Sequence, residues 1–348
     1  MPLAIDGSGA AKPAPAVPAN VLEVLDLHVE FRTKVGVIHA VNGASYTVRE
    51  GEALAVVGES GSGKSVTAQV VMGLQDPALA RVTGGEILYR GDNVLRLGEA
   101  NRRRLRGTKL ALVPQDSMAA LDPLVPVGRQ IGEMFTVHRG ESRKEALRQA
   151  VDLMELVGIP SAARRAGDFP HQFSGGMRQR LVIAVAVALS PDLLIADEAT
   201  SALDVTTQLQ VTTMLSRLRK ELGMSLVFIT HDLLAVRDIA DWVAVMYAGR
   251  VVESGPADRV FSSPAHPYTE ALLLSTPRID GSVARLRPIG GRPPGLAHLA
   301  EGCAFAPRCA YRRDICSSER PPALHLDDGR RSACLFAPNY RDGVGGAA

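Results

Sequence analysis

Residues 53–65 read ALAVVGESGSGKS: the apolar run Ala53–Val57 passes directly into Gly58-Glu59-Ser60-Gly61-Ser62-Gly63-Lys64-Ser65. An unbroken apolar run of that length, stopped by a glycine, predicts a strand buried on both faces. The residues after it fit G-x-x-x-x-G-K-[ST], which marks a phosphate-cradling loop when it lies between a strand and a helix. The glycines at 58, 61 and 63 let the backbone wrap an anion without side-chain collision. Successive N–H groups, through Ser60, Ser62 and on to Val66, then point into one concavity, and the helix that follows adds partial positive charge at its N-terminus. In such a loop Lys64 pairs with the β- and γ-phosphates, and the Ser65 hydroxyl ligates Mg²⁺.

Moving outward, Leu193-Leu194-Ile195-Ala196-Asp197-Glu198 is a second apolar strand, and it ends in two adjacent acids. Neighbours on a strand point to opposite sides, so the carboxylates take different jobs. Asp197 holds Mg²⁺, directly or through water, and Glu198 orients or deprotonates an attacking water. Short apolar runs at 226–230 and 243–247 alternate with helical stretches, which predicts a parallel sheet with helices packed on it. Residues 21–48 alternate apolar and polar positions and read as antiparallel strands. Residues 127–189 read as mostly helical. There Ser142 and Glu145 form a capping box, and Leu147, Ala150, Val151, Met154 and Val157 share one face.

Phe173-Ser174-Gly175-Gly176-Met177-Arg178-Gln179-Arg180 opens another apolar helix. Ser174 caps it, and Gly175 and Gly176 bare its first N–H groups, which makes a second anion site. One nucleotide does not need two distant helix N-termini, so the second site suits a nucleotide bound on a partner chain.

The chain has 348 residues, 46% hydrophobic and 22% charged, with a net charge of +2. That is room for one large α/β domain and a smaller appendage. It carries no strong field, which argues against nucleic acid as the main partner. The Arg102–Arg106 cluster reads as a solvated helix face. No apolar run approaches the ~18–20 residues of a membrane span, and residues 1–20 read as a disordered Ala/Pro-rich leader, not a secretory signal. A cytosolic location follows as an expectation, with any membrane span supplied by other chains. From about residue 278 Pro, Gly and Arg dominate, so this tail needs a staple or a docking surface. All the cysteines lie there, as Cys303, Cys309, Cys316 and Cys334, spaced C-x5-C-x6-C-x17-C. In a reducing compartment such a cluster reads as a metal site before disulfides. Four thiolates this close can close one tetrahedral or cubane site. The lack of a C-x2-C pair weakens a zinc-ribbon reading, and unliganded thiols stay open.

The order of phosphate loop, Gln115, Ser174–Gln179, Asp197–Glu198, Ser201-Ala202-Leu203-Asp204 and His231 resembles the ABC ATPase family across residues 21–275 and into the tail. The resemblance implies an α/β P-loop cassette: a parallel core sheet, an antiparallel β subdomain, a helical subdomain inserted at about 120–175, and a small cysteine-containing C-terminal extension. It divides the chain into a leader (1–20), an ATPase domain (21–277) and the extension (278–348). It makes Gln115 the Q-loop glutamine, which senses Mg²⁺ and water, and His231 the switch histidine at the γ-phosphate. It places Asp204 at the dimer seam and Phe31 against adenine. Within the family the chain is most similar to the D-type ATPase subunit of oligopeptide and dipeptide importers. The segments that carry this are Phe31-Arg32-Thr33, Val57–Ser60, Leu121-Asp122-Pro123, Pro170–Arg180, with Met177 where the wider family has Gln, His266-Pro267-Tyr268-Thr269 and Leu274-Ser275-Thr276-Pro277. Ala199 departs from the usual Pro. The similarity implies ATP and Mg²⁺ as ligands and a [4Fe–4S] cluster on the four cysteines. It also implies as partners a second ATPase subunit (a sister or itself), two membrane permeases and an extracytoplasmic substrate-binding protein. A soluble ABC ATPase of repair or translation, an iron–sulfur sensor and an exporter ATPase are the rival readings. The first usually has tandem cassettes or a coiled-coil insertion, absent here. The intact Lys64, Glu198 and His231 disfavour the second, and the tail disfavours the third.

Overall fold

A computed structural model describes residues 19–34, 36–117, 119–201, 203–233, 235–275, 287–297 and 301–342. Most of the expected leader, the pair Thr276-Pro277 and the start of the tail therefore lie outside the described residues. In chain order the elements are β1 (Asn20–Thr33), β2 (Gly36–Arg49), β3 (Ala53–Val57), α1 (Lys64–Met72), β4 (Ala80–Tyr89), β5 (Asp92–Asn93), α2 (Glu99–Leu105) and β6 (Leu110–Val113). Then come the helices α3 (Val127–Arg139), α4 (Arg143–Leu156), α5 (Ala162–Arg165) and α6 (Gly175–Val187). They are followed by β7 (Leu193–Asp197), α7 (Val205–Leu222), β8 (Ser225–Thr230), β9 (Trp242–Tyr247), β10 (Arg250–Pro256), α8 (Ala257–Ser262), α9 (Pro267–Ser275), β11 (Leu324–His325) and β12 (Arg331–Ser332).

Two sheets result. The four-stranded sheet has the order β2-β1-β4-β5 and is antiparallel, as the alternation of residues 21–48 predicts. The eight-stranded sheet has the order β11-β12-β10-β9-β3-β8-β7-β6. Its core, β9 through β6, is parallel, with β3 between β8 and β9. Every residue of β3 is buried, and the strand splits its side chains between two cores. Ala53, Ala55 and Val57 face the helical side with Ile131, Met154, Leu181 and Leu215. Leu54 and Val56 face the antiparallel sheet and α1, with Val24, Val29, Val41 and Met72. β7 and β8 divide in the same way: Leu194, Ala196, Leu226 and Phe228 to one side, Leu193, Ile195, Val227 and Ile229 to the other. A continuous apolar run is therefore the alternation of a strand whose two faces are both covered.

Some local expectations are adjusted. Ser142 accepts the Glu145 N–H at the start of α4, but the Glu145 carboxylate turns to Arg148 at 2.6 Å, so only half of the capping box forms. Ala150, Met154 and Val157 are buried, whereas Leu147 is exposed. Of the Arg102–Arg106 cluster, Arg106 is not simply solvated: it donates to the Met72 and Gly73 carbonyls that end α1. The tail is no free appendage either. β12 pairs with β10 through Glu253↔Ser332 and Ser254↔Arg331, so the extension completes the edge of the core sheet. Among the described residues no helix is long and apolar enough to cross a membrane.

Candidate functional site

Parallel pairing brings the motifs together. Val57 is level with Thr230 on β8 and Val245 on β9, and Asp197 is level with Ile229. Everything that follows a strand at these levels emerges on the carboxyl edge of the sheet, where open α/β folds bind ligands. The loop Gly58–Ser65, the pair Asp197–Glu198 and His231 all sit there.

The loop is tight enough to require its glycines. A Cβ on Gly58 would collide with the Met246 carbonyl oxygen. Gly63 has φ 99°, and a Cβ there would lie 2.5 Å from the Ala40 carbonyl oxygen. Gly63 precedes the first residue of α1, so the N–H groups of the first turn stay free for an anion. Lys64 is buried, and its ammonium donates to the loop's own carbonyls, Gly58 O at 2.8 Å and Glu59 O at 3.1 Å. Burial lowers its pKa, against the nearby Glu198, Asp197 and Glu59 carboxylates. Among the described residues the buried Ser62 hydroxyl has no hydrogen-bond partner, an unused donor in the loop. A triphosphate fits these groups, because it would supply acceptors for Ser62, the free N–H groups and Lys64 together.

Ser65 Oγ donates to Asp197 Oδ1 at 2.8 Å, which joins the two residues expected at Mg²⁺. Burial raises the Asp197 pKa, and the Ser65 bond and the Lys64 charge oppose this. The strand ends at Asp197, and Glu198 turns into the left-handed region at φ 46°. This turn, beyond simple strand alternation, parts the two acids. Glu198 accepts from Gln115 Nε2 at 2.8 Å, and His231 Nδ1 lies 3.7 Å from its other oxygen. The Glu198 side chain is largely buried and that of His231 half exposed. Gln115, Glu198 and His231 thus come from the ends of three different strands to one point.

Other expected residues stay apart. Ser174 caps α6 by accepting the Met177 N–H at 3.4 Å, and a Cβ on Gly176 would touch Thr207 of α7. Asp204 caps α7, accepting from the Thr207 N–H at 3.0 Å and hydroxyl at 2.8 Å, bonds that hold its pKa down. Among the described residues no hydrogen bond or ion pair links Ser174–Met177 or Asp204 to the phosphate loop. Phe31 and Val66 are each partly buried against the core beneath the antiparallel sheet.

Sequence reasoning missed the tail's part in this cleft. Pro288 and Ile289 line an open cavity together with Glu59, Ser60, His231, Leu272 and Ser275. Tyr268 Oη accepts the Glu59 N–H at 2.9 Å. The HPYT segment was legible as a motif, but nothing in it announces a partner two hundred residues upstream.

Cys303, Cys309, Cys316 and Cys334 line one small, mostly apolar cavity with His266, Phe305, Tyr311 and Tyr340. All four are free of disulfides. Burial raises the thiol pKa of Cys303 and Cys334 and pushes that of Cys309 up to about 12. The four residues share that cavity, yet among the described residues no group of three or more His, Cys, Asp or Glu side chains stands in position to hold a metal ion.

The core sheet and the loop on its central strand define a P-loop nucleotide-binding cassette. Residues 41–201 match the family described as ABC transporter, and residues 252–316 match the oligopeptide/dipeptide transporter C-terminal region. A protein of Brucella melitensis biotype 1 named for peptide import and ATP binding is 46% identical over 326 residues, 90% of this chain and 96% of its own. The dipeptide transport ATP-binding protein DppD of Bacillus subtilis is 45% identical over 315 residues, 90% of this chain and 94% of its own. The dimeric structure of MJ0796, a bacterial ABC transporter cassette, superposes with a TM-score of 0.61 at 26% identity, over 68% of this chain and 98% of that one. Its post-hydrolysis dimer bound to ADP and Pi superposes equally well. This chain belongs to the ABC transporter family.

Proposed function

We propose that the protein is the ATP-binding and ATP-hydrolysing subunit of an ABC importer that drives uptake of dipeptides or oligopeptides. The observation that carries the reading is the gathering of Lys64, Ser65–Asp197 and Gln115–Glu198–His231 on one sheet edge. The N–H groups of Gly58–Ser65 and the Lys64 ammonium take the triphosphate. Ser65, Asp197 and Gln115 would hold Mg²⁺, which when bound would neutralise phosphate charge. Glu198 orients a water and accepts its proton, with Gln115 fixing the carboxylate, and His231 contacts the γ-phosphate. Positioning and charge neutralisation supply most of the rate. Phe31 stacks on adenine, and the Val66 N–H joins the phosphate cradle.

The second anion site, Ser174–Met177, serves the nucleotide of a second ATPase subunit, a sister or a second copy, with Asp204 at the seam. The dimeric state of the MJ0796 cassette supports this arrangement. Closure acts on two membrane permeases fed by an extracytoplasmic substrate-binding protein, so the chain works at the cytoplasmic face of the membrane and not on nucleic acid. The cassette spans 21–277 and the extension 278–348. The four cysteines line one apolar cavity, and as thiolates Cys303, Cys309, Cys316 and Cys334 would hold a [4Fe–4S] cluster that staples the extension.

The test is Glu198→Gln. It keeps the shape of the site and removes the proton acceptor, so ATP binding persists while turnover falls by roughly 10²–10⁴-fold. Turnover at the wild-type rate would remove Glu198 from its role. Anaerobically purified protein should be brown, and each Cys→Ser change should bleach it; a colourless wild type with stoichiometric zinc would replace the cluster.

A further inference from the structure

The phosphate loop contains one negative charge, and the cysteine extension supplies the cation that meets it. Arg308 sits in the single helical turn Ala306–Arg308, immediately before Cys309. Its guanidinium forks onto the Glu59 carboxylate, Nη1 to Oε2 at 2.6 Å and Nη2 to Oε1 at 2.8 Å, across 249 residues of sequence. Two more of its N–H groups are used: Nε reaches Gly290 O at 2.9 Å and Nη1 reaches Tyr247 Oη at 3.2 Å. Only 4% of the Arg308 side chain is exposed and 26% of that of Glu59, so water screens the pair little.

Glu59 is held at every polar group. Its N–H goes to Tyr268 Oη, its carbonyl accepts from Lys64 Nζ and the Ser62 N–H, and its carboxylate goes to Arg308. Tyr268 and Tyr247 pack on each other and on Phe305, the residue that starts the Arg308 turn. Arg308 of the extension and Tyr268 of α9 therefore grip the second residue of the loop from two sides. The charge arithmetic makes this grip matter. A carboxylate at the lip of a triphosphate site repels the ligand and offers the lysine ammonium a competing partner. Arg308 neutralises Glu59 and fixes it toward the extension, which leaves Lys64 for phosphate.

We propose that Arg308 is a positioning residue of the nucleotide site: the extension sets phosphate-loop affinity by pairing Arg308 with Glu59. This rests on the reading of Gly58–Ser65 as the nucleotide site and adds to it a dependence on the tail.

The test compares Arg308→Met, Glu59→Gln and the double variant, in full-length protein, by titration with a fluorescent ATP analogue and by steady-state ATPase kinetics with the permease assembly. Arg308→Met should weaken nucleotide binding by about 10- to 100-fold, with KM raised more than kcat is lowered. Glu59→Gln, which removes the repelling charge, should bind more tightly than wild type. Adding Glu59→Gln to Arg308→Met should recover most of the loss. A structural prop would behave differently, since the double variant would stay as weak as Arg308→Met. That result, or a loss of affinity in Glu59→Gln itself, overturns the proposal. If Arg308→Met does not fold, Arg308→Lys keeps the charge without the fork and should show a smaller loss, again relieved by Glu59→Gln; an unrelieved loss counts against the pairing. Wild-type protein that binds no nucleotide would sink the ATPase reading itself, whereas normal wild-type binding with an unaffected Arg308→Met sinks only this inference.

Discussion

The phosphate loop and the cysteine cavity are both compact, and they are made in opposite ways. The loop uses consecutive residues, and its internal bonds are short in sequence: Lys64 to Gly58 and Glu59, Ser62 to Glu59. The cavity gathers residues from Cys303 to Tyr340 with His266, which immediately precedes α9. It is fastened to the cassette by bonds that span the chain: Ala333 N–H to Val252 O, Arg330 to Ser263 O and Glu253, Arg308 to Glu59. A site made of local backbone geometry fails when that geometry is altered. A site made of distant side chains fails when the docking between its pieces fails. Changes aimed at each region should separate the two modes.

The largest effect is expected in the docking of the extension. Arg330 is buried beside Glu253, whose side chain is wholly buried. Arg330→Met leaves that carboxyl without its cation and should cost about 3–5 kcal/mol in denaturant unfolding at pH 8. The nucleotide affinity of the folded protein should stay within about twofold, because distant sites act additively. A matching loss of affinity would erase the contrast between the regions.

Glu253 also predicts a pH dependence. Burial raises its pKa from 4.5 to about 7, against the bonds it accepts from the Ala265 and His266 N–H groups, the Thr269 hydroxyl dipole and the Arg330 charge. Between these values the folded chain keeps a proton that the unfolded chain releases, so this group's contribution to stability falls as pH rises from about 4.5 to about 7. Glu253→Gln cannot titrate. The stability of wild type relative to Glu253→Gln should therefore drop by on the order of 2 kcal/mol between pH 5 and pH 7.5. A difference that does not change with pH would mean that Arg330 keeps the carboxylate charged throughout.

On the loop side, Gly63→Ala places a methyl against the Ala40 carbonyl at a backbone angle that disfavours side chains. Strain of about 1–3 kcal/mol should appear as a nucleotide affinity roughly 10- to 100-fold weaker, with the unfolding of the extension little changed. The smallest effect is expected for Asp204→Ala, which removes the cap of α7 and should cost about 1 kcal/mol in stability. A much larger drop in ATPase turnover than in stability would place Asp204 at the subunit seam.

What could be read in the chain beforehand follows the same division. The strands Ala53–Val57 and Leu193–Asp197, the loop between Gly58 and Ser65 and the cap at Ser174 are recognisable because neighbours in sequence decide them: apolar runs, glycine turns and a short polar side chain that bonds its own backbone. The capping box at Ser142 was half right, because Glu145 had a competing partner three residues on in Arg148. Leu147 was misplaced because helical periodicity marks a face but not where the packing against it stops. The grouping of the four cysteines was legible from their spacing, and the cavity they share agrees with it.

By itself the sequence determined the local chemistry: a loop able to cradle phosphate, two acids at a strand end, a second capped helix N-terminus and four thiols in a tail poor in apolar periodicity. Tertiary structure alone decided which of these meet. Parallel pairing set Val57, Asp197 and Thr230 at one edge, and so brought Gln115, Glu198 and His231 together. The docking of the extension brought Arg308 to Glu59. The physical reason is that hydrogen-bond and packing preferences between adjacent residues are written in their order. A contact across 249 residues exists only once the sheet between them has formed.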